Sequence, residues 1–263
     1  MSDTGHFSKE LIAELLNLAL IVARAAGDLL MTRPQSFDLN QKTGARDFAT
    51  QMDHASEKLI VESILTARPD DGIIGEEGSS RPSKSGITWV IDPIDGTVNY
   101  FYGLPGWNVS IAAKDADGVV VGVVNAPTLN SIWHGARGEG AFRNGEQIHC
   151  NTGVDMKEAL IATGFSYDEN ESVAQAQFIV DLMPDIRDIR RFGAAAVDLC
   201  AVATGWVDGY FESRLNEWDL AAGGLIAQEA GALVTGRLGA PAGREMTICA
   251  GPSLHAALST RIG

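Results

Sequence analysis

The order of apolar and polar positions predicts two helices at the start of the chain, with a polar stretch between them. The first helix covers residues 8–32, with Ser8 as a candidate N-cap. Its apolar residues repeat at helical spacing on one face: Leu11, Leu15, Val22, Ala26 and Leu29. A second helix is expected over residues 50–67, and the polar residues 34–47 predict a loop that joins the two.

Alternating and short apolar runs then predict a sheet. A short strand at residues 73–74 leads to Glu76 and Glu77. Further strands are predicted at 88–92, 107–114, 119–125 and 131–136, and Asn144-Gly145 is typical of a hairpin turn. The first half of the chain, residues 1–150, is therefore expected to place two helices on an antiparallel-rich sheet.

Residues 151–263 alternate between strands and helices. Strands are predicted at 159–163, 207–211, 232–235 and 246–250. Helices are predicted at 171–183, from Gly193 through Val202, from Asp219 to Gly231, and from Pro252 to the end. No linker separates the halves, so we expect one compact α+β unit of stacked helix and sheet layers, with acids from both halves converging between them.

Composition narrows the possible functions. A net charge of −14 argues against non-specific binding to nucleic acid, which needs clustered Lys and Arg. The apolar run over residues 11–30 is interrupted by charged residues and predicts an amphipathic helix rather than a membrane span. Three cysteines far apart in the sequence predict free thiols in a reducing compartment, which favours the cytoplasm.

The residues with the clearest chemistry follow short apolar segments. Asp92, Asp95 and Thr97 lie on a turn that contains Pro and Gly, Glu76 follows a short strand, and Asp219 is near the start of a helix. Oxygen ligands of this kind suit hard divalent cations such as Mg²⁺. Each acid also has a simpler interpretation: a turn or helix cap for Asp92 and Asp219, and a solvated loop for Glu76. The joint pattern favours a metal site.

Motifs spread over nearly the whole chain resemble those of the inositol monophosphatase family of Mg²⁺-dependent, lithium-sensitive phosphatases. The first is Asp92-Pro-Ile-Asp-Gly-Thr-Val-Asn-Tyr-Phe, and the second is Glu217-Trp-Asp-Leu-Ala-Ala-Gly. Gly75-Glu-Glu-Gly, the segment from Lys42 to Asp53, and Gly193-Ala-Ala-Ala also fit. The resemblance implies a layered αβαβα sandwich of the sugar-phosphatase type, with its active site between the halves.

The resemblance also implies roles for individual residues. Two or three Mg²⁺ ions would be held by Glu76, Asp92, the Ile94 carbonyl, Asp95 and Asp219. Catalysis would involve Glu76 and the pair formed by Thr97 and Asp53, which lies beside the attacking water. Substrate would contact Asp95, the amides of Gly96 and Thr97, Ala195 and Glu212. Lys42 and Asp47 would lie on a loop over the site, and Glu217 has no assigned role.

The implied activity is hydrolysis of a small polyol phosphate, with myo-inositol 1-phosphate as the first candidate and no covalent intermediate. Relatives with the same metal core act on fructose bisphosphate, histidinol phosphate or nucleotide 3′-phosphates, so these substrates stay open. A different class, a partner-binding protein of transcription complexes, is the other alternative. The resemblance further implies a homodimer. The charge and the interrupted apolar run predict no nucleic-acid or membrane partner.

Overall fold

The computed structural model describes residues 8–44 and 46–263, so the first seven residues of the predicted N-terminal half lie outside the described part. Its helices and strands have the following bounds. The helices are α1 Lys9–Met31, α2 Gln51–Ala67, α3 Thr97–Tyr102, α4 Glu169–Leu182, α5 Ala195–Thr204, α6 Glu217–Glu229 and α7 Pro252–Ile262. The strands are β1 Leu39–Gly44, β2 Asp47–Thr50, β3 Gly72–Gly75, β4 Ser80–Arg81, β5 Thr88–Asp95, β6 Asn108–Asp115, β7 Gly118–Ala126, β8 Ser131–Ala136, β9 Gly140–Arg143, β10 Glu146–Gln147, β11 Leu160–Thr163, β12 Asp188–Arg190, β13 Gly209–Glu212, β14 Leu233–Thr235 and β15 Thr247–Ala250.

The elements form five layers, which confirms the predicted α+β sandwich. Helices α1 and α2 cover one face of an eight-stranded sheet, in the order β10-β9-β8-β7-β6-β5-β3-β4. Helices α5 and α6 lie on its other face and also contact a five-stranded sheet, in the order β12-β11-β13-β15-β14. Helices α4 and α7 pack on the outer side of that second sheet. Each sheet is thus covered on both faces, as buried strands require.

The first helix follows its sequence pattern closely. Ser8 caps it through a bond from the Leu11 amide at 3.3 Å, and Leu15, Val22 and Ala26 are buried against the large sheet. This helix is the longest of the chain, yet no helix in the described residues has the length and apolar character needed to cross a membrane. The apolar face of this helix therefore packs in the core of the sandwich.

Two sequence expectations need correction. The predicted loop over residues 34–47 contains strand β1, which pairs antiparallel with β2 and carries Lys42 toward the acids. Residues 78–86 are rich in Ser, Gly, Pro and Lys, which predicts a loop, but they include the short strand β4, which pairs with β3. Both strands are short and polar, so their side chains give no apolar alternation, and the strands are defined by pairing that a local pattern cannot show.

The two halves also differ in sheet type. The large sheet is antiparallel except for the parallel pair β3 and β5. The small sheet is mixed: β11 runs parallel to β12 and β13, whereas β15 is antiparallel to β13 and β14. The parallel pair in the large sheet matters most for function, because it places the carboxyl ends of β3 and β5 side by side.

Candidate active site

Eleven of the predicted site residues line one cavity of about 870 Å³ between the two halves. They come from the hairpin, the ends of β3 and β5, the start of α3, and three segments of the second half. These residues are Lys42, Asp47, Glu76, Asp92, Ile94, Asp95, Gly96, Thr97, Ala195, Glu212 and Asp219. Asp53, the twelfth, is fully buried and reaches the cavity through Thr97.

A β-bulge places Asp92 and Asp95 on the same side of the sheet. Residues three apart on a regular strand point to opposite faces. Here Asp92 pairs with Ser110 while Asp95 pairs with Asn108, so β5 has one extra residue between them. The extra residue falls at Pro93-Ile94, where proline cannot donate to the ladder. The Ile94 side chain joins the core under α1 and α2, and both acids face the second half.

Glu76 lies next to Asp92 because β3 is parallel to β5. Gly75 pairs with Ile91, and the Glu76 amide donates to the Ile91 carbonyl at 3.1 Å. The Lys42 ammonium lies 2.9 Å from Glu76 Oε1 and 2.5 Å from Glu77 Oε1. Burial lowers the pKa of Lys42, but the two glutamates outweigh it and raise that pKa overall. Lys42 is therefore the charged partner of the acidic turn.

Asp53 and Asp219 occupy the same local structure on two helices. Each is the third residue of its helix and accepts a bond from the amide of the capping residue, from Thr50 at 2.7 Å and from Asn216 at 2.6 Å. In this capping box one carboxylate oxygen satisfies a free helical amide. The helix that was predicted to begin at Asp219 thus begins at Glu217, with Asn216 as its cap.

The second oxygen of Asp53 bonds to Thr97. Thr97 Oγ1 lies 3.1 Å from Asp53 Oδ1 and 3.1 Å from the Ile94 carbonyl oxygen. Burial raises the pKa of Asp53 to about 6 despite the bonds from Thr50. A buried carboxylate with a pKa near neutrality can hold a proton that a neighbouring hydroxyl passes on.

Asp95 is held by three hydrogen bonds. It accepts bonds from the amides of Ala195 at 3.1 Å and Ala196 at 2.8 Å, and from the Asn108 side chain at 2.8 Å. The two amides belong to the first turn of α5, whose partial positive charge favours a carboxylate. Burial still raises the pKa of Asp95 overall. Ala195, predicted as a substrate contact, therefore also holds Asp95 in place.

The acids influence one another strongly. Burial, followed by the charges of Glu76, Asp95 and Asp219, raises the pKa of Asp92 well above its ordinary value. Burial also raises the pKa of Glu76 and of Asp219. Several carboxylates that raise each other's pKa form a site where a cation would relieve the repulsion.

The donor set fits a hard divalent cation in its chemistry. All of its side-chain ligands would be carboxylate oxygens, which Mg²⁺ prefers. Over the ranges 8–44 and 46–263, no group of three or more His, Cys, Asp or Glu side chains is already arranged to hold a metal ion. The fit therefore rests on the converging buried acids and their raised pKa values.

Several residues that support the site were not identified from the sequence. Asn216 and Asn108 hold Asp219 and Asp95, and Arg244 donates to Asn216 Oδ1 at 2.7 Å. The spacing Asn216-x-x-Asp219 is a capping-box signal that could have identified Asn216. Glu217, left without a role, forms an ion pair with Lys114 on the large sheet.

Comparisons with known proteins show the family of the chain. A sequence model of the inositol monophosphatase family matches residues 11–261. The Nus factor SuhB of Haemophilus influenzae is 41% identical over 224 residues, covering 84% of each chain. An inositol-1-monophosphatase of Mycobacterium leprae is 40% identical over 229 residues, covering 82% of this chain and 78% of the relative. A solved IMPase from Thermotoga maritima superimposes with a TM-score of 0.86 at 34% identity, covering 94% of this chain and 96% of that one.

The layered fold and the acid-lined cavity between its halves define the class of the protein as a phosphatase of the α+β sandwich type. Phosphatases of this class are generally metal-dependent. More specifically, the chain belongs to the inositol monophosphatase family.

Proposed function

We propose that the protein hydrolyses a small polyol phosphomonoester, with myo-inositol 1-phosphate as the substrate, in a reaction that depends on Mg²⁺. The observation that carries this proposal is the convergence of Glu76, Asp92, Asp95 and Asp219 beside the Thr97–Asp53 pair in one cavity. Relatives named inositol-1-monophosphatase support the choice of substrate.

Two or three Mg²⁺ ions would be held by Glu76, Asp92, Asp95 and Asp219, with the Ile94 carbonyl oxygen as a further ligand. Bound Mg²⁺ supplies Lewis acidity toward the phosphoryl oxygens and lowers the pKa of water. The protein's own part is to hold these acids in fixed positions. Asp92 and Asp95 are placed by the bulge at Pro93, and the amides of α5 also hold Asp95. Asp219 is held by the capping box of α6.

The Thr97–Asp53 pair would take the proton of the attacking water. As the water oxygen bonds to phosphorus and the ester oxygen departs, the water proton passes to Thr97 Oγ1. The Thr97 hydroxyl proton in turn passes to Asp53 Oδ1, 3.1 Å away. The departing alkoxide takes a proton from solvent. No covalent bond forms between the enzyme and phosphorus in this scheme, because the nucleophile is water.

Phosphate and polyol would be recognised by different groups. Gly96 has a left-handed backbone with φ 85°, and a Cβ there would lie 3.1 Å from the Gly193 carbonyl oxygen, so glycine avoids both the backbone strain and the close contact. The amides of Gly96 and Thr97 would then donate to the phosphate. Glu212 would accept a hydroxyl of the polyol, and Lys42 and Asp47 would close the cavity from the hairpin.

The test is phosphate release by the purified protein with Mg²⁺ on myo-inositol 1-phosphate, fructose 1,6-bisphosphate, histidinol phosphate and a nucleotide 3′-phosphate. We expect the highest kcat/KM with myo-inositol 1-phosphate. Asp92→Asn should abolish turnover while the far-UV spectrum stays unchanged. A tenfold preference for another of these substrates would overturn the substrate assignment, and an active Asp92→Asn variant would overturn the catalytic site.

A second candidate is a partner-binding role in transcription, because relatives about 40% identical are named Nus factor SuhB. The acidic net charge of −14 favours a protein partner over nucleic acid. Such a role would not need the site acids. An Asp92→Asn variant that replaces the wild type in vivo, while lacking phosphatase activity, would favour this candidate.

We also propose a cytoplasmic homodimer. The three cysteines are buried free thiols, which suits a reducing compartment. The dimer is implied by the resemblance to the family, and two-fold dimers are the commonest soluble oligomers. Light scattering on the eluting peak of a gel-filtration column tests the dimer, and a monomer at micromolar concentration would refute it.

A further inference from the structure

Glu212 is held at the wall between two cavities. It ends strand β13 and lines both the large cavity and a smaller one of about 190 Å³ beside Phe178 and Met246. Its Oε2 accepts a bond from the buried Tyr210 hydroxyl at 2.7 Å. Among the described residues, no donor contacts Oε1, so this oxygen remains available to a ligand.

Gly164 lies directly against this carboxylate. Strand β11 is parallel to β13 and its last residue, Thr163, pairs with Phe211, so Gly164, which follows the strand, comes level with Glu212. A Cβ on Gly164 would lie 2.0 Å from Glu212 Oε2 and 2.2 Å from both Cδ and Oε1. These three atoms are the closest to the added carbon, so the steric demand for glycine comes from the Glu212 carboxylate.

The backbone of Gly164 does not itself require glycine. Its φ lies outside the left-handed region, which any L-residue avoids, so alanine fits the local conformation. An added methyl group would therefore displace the carboxylate, the free end of a flexible side chain, rather than the buried strands on either side. Displacement would break the bond from Tyr210 and move the carboxylate from its position in the wall of the large cavity.

We propose that Gly164 is a specificity-determining position, which sets the place of the Glu212 carboxylate and thereby the recognition of the hydroxyl-bearing part of the substrate. Gly164 acts through Glu212 and has no contact with the reacting atoms. The kinetic part of this inference rests on the proposed function, since it assumes that Glu212 accepts a substrate hydroxyl.

The kinetic test compares two substrates in the Gly164→Ala variant. Loss of a hydrogen bond to a charged group raises KM for myo-inositol 1-phosphate by about tenfold or more. Phenyl phosphate has no hydroxyl for Glu212, so its kcat/KM should not change. An interaction made equally in ground and transition states changes KM and not kcat. An equal loss on both substrates, or no loss on either, would overturn the proposal.

A double-variant cycle separates the role of Gly164 from a general structural one. In a Glu212→Ala background the three clashing atoms are gone, so Gly164→Ala should cause no further change in KM. The same cycle applies to stability: Gly164→Ala should lower the thermal midpoint in the wild-type background and leave it unchanged in the Glu212→Ala background. A fall of equal size in both backgrounds contradicts the proposal.

The stability cycle needs no substrate, so it stays decisive if the proposed function fails. If Gly164→Ala alone does not fold, the double variant must fold, and an unfolded double variant refutes the inference. Gly243→Ala is the matched control, because a Cβ at Gly243 meets no atom within 4 Å and its φ is not left-handed. That control should leave KM and the thermal midpoint at their wild-type values.

Discussion

Replacing Glu212 with Gln should change how the stability of the protein depends on pH. In the folded protein, burial raises the pKa of Glu212 to about 7. The bond from Tyr210 and the charge of Arg191 lower this pKa but do not offset burial. In the unfolded chain the carboxyl has its ordinary pKa of 4.5. The two states therefore bind different numbers of protons over this interval.

The sign of the effect follows from that difference. Below pH 4.5 both states are protonated and the protonated carboxyl makes its full contribution to stability. As the pH rises toward 7, the unfolded chain loses its proton while the folded protein keeps it, so the free energy of unfolding falls. The slope is about 1.4 kcal/mol per pH unit, and the total loss has an upper value of about 3 kcal/mol. Above pH 7 the loss is complete.

Urea unfolding at several values between pH 4.5 and pH 8, followed by tryptophan fluorescence in EDTA, measures this effect. The wild type should lose stability relative to Glu212→Gln across that range, because Gln carries no charge to bury. Glu146→Gln, which changes an exposed glutamate of β10, is the matched control and should run parallel to the wild type. Parallel curves for wild type and Glu212→Gln would refute the reasoning.

Three further outcomes are expected. Thr97→Val should lower kcat by about a hundredfold with little change in KM, since it removes the hydroxyl that bonds to Asp53 Oδ1, and steady-state phosphate release measures this. Mg²⁺ at a hundred times its dissociation constant should stabilise the fold by about 2.7 kcal/mol, seen as a higher thermal midpoint that EDTA reverses and Asp92→Asn abolishes. Ile60→Ala, in the fully buried face of α2, should cost about 2–5 kcal/mol in urea unfolding without changing KM.

The layers of the fold could be predicted from the sequence because their strands and helices carry strong apolar periodicity. On β5, for example, Trp89 and Ile91 pack under the first helix pair, while Val90 packs toward α5 and α6. The hairpin of β1 and β2 could not be predicted, since its residues are polar. It is stabilised by pairing across a turn and by the ion pairs of Lys42.

The acids of the site were identifiable, but the structure that brings them together was only partly visible. Pro93 between two acids was a signal for a bulge, because proline is confined to edges and irregular positions of sheets. The sequence did not show that the bulge turns Asp95 to the side of Asp92. Glu57, fully buried and bonded to the amides of Glu77 and Ser79, could not be distinguished from an ordinary helical glutamate.

For Asp219, the sequence left a helix-cap interpretation and a ligand interpretation as alternatives. The structure shows the cap, which uses one carboxylate oxygen and so does not exclude the proposed ligand role. A capping box uses one carboxylate oxygen and fixes the rotamer of the acid. The other oxygen is left for a second partner, as in Asp53, whose Oδ2 bonds to Thr50 and whose Oδ1 bonds to Thr97. A capped helix start is therefore a rigid support for a functional carboxylate. A cap and a ligand role would use different oxygens of the same residue, so evidence for the cap does not count against the ligand role.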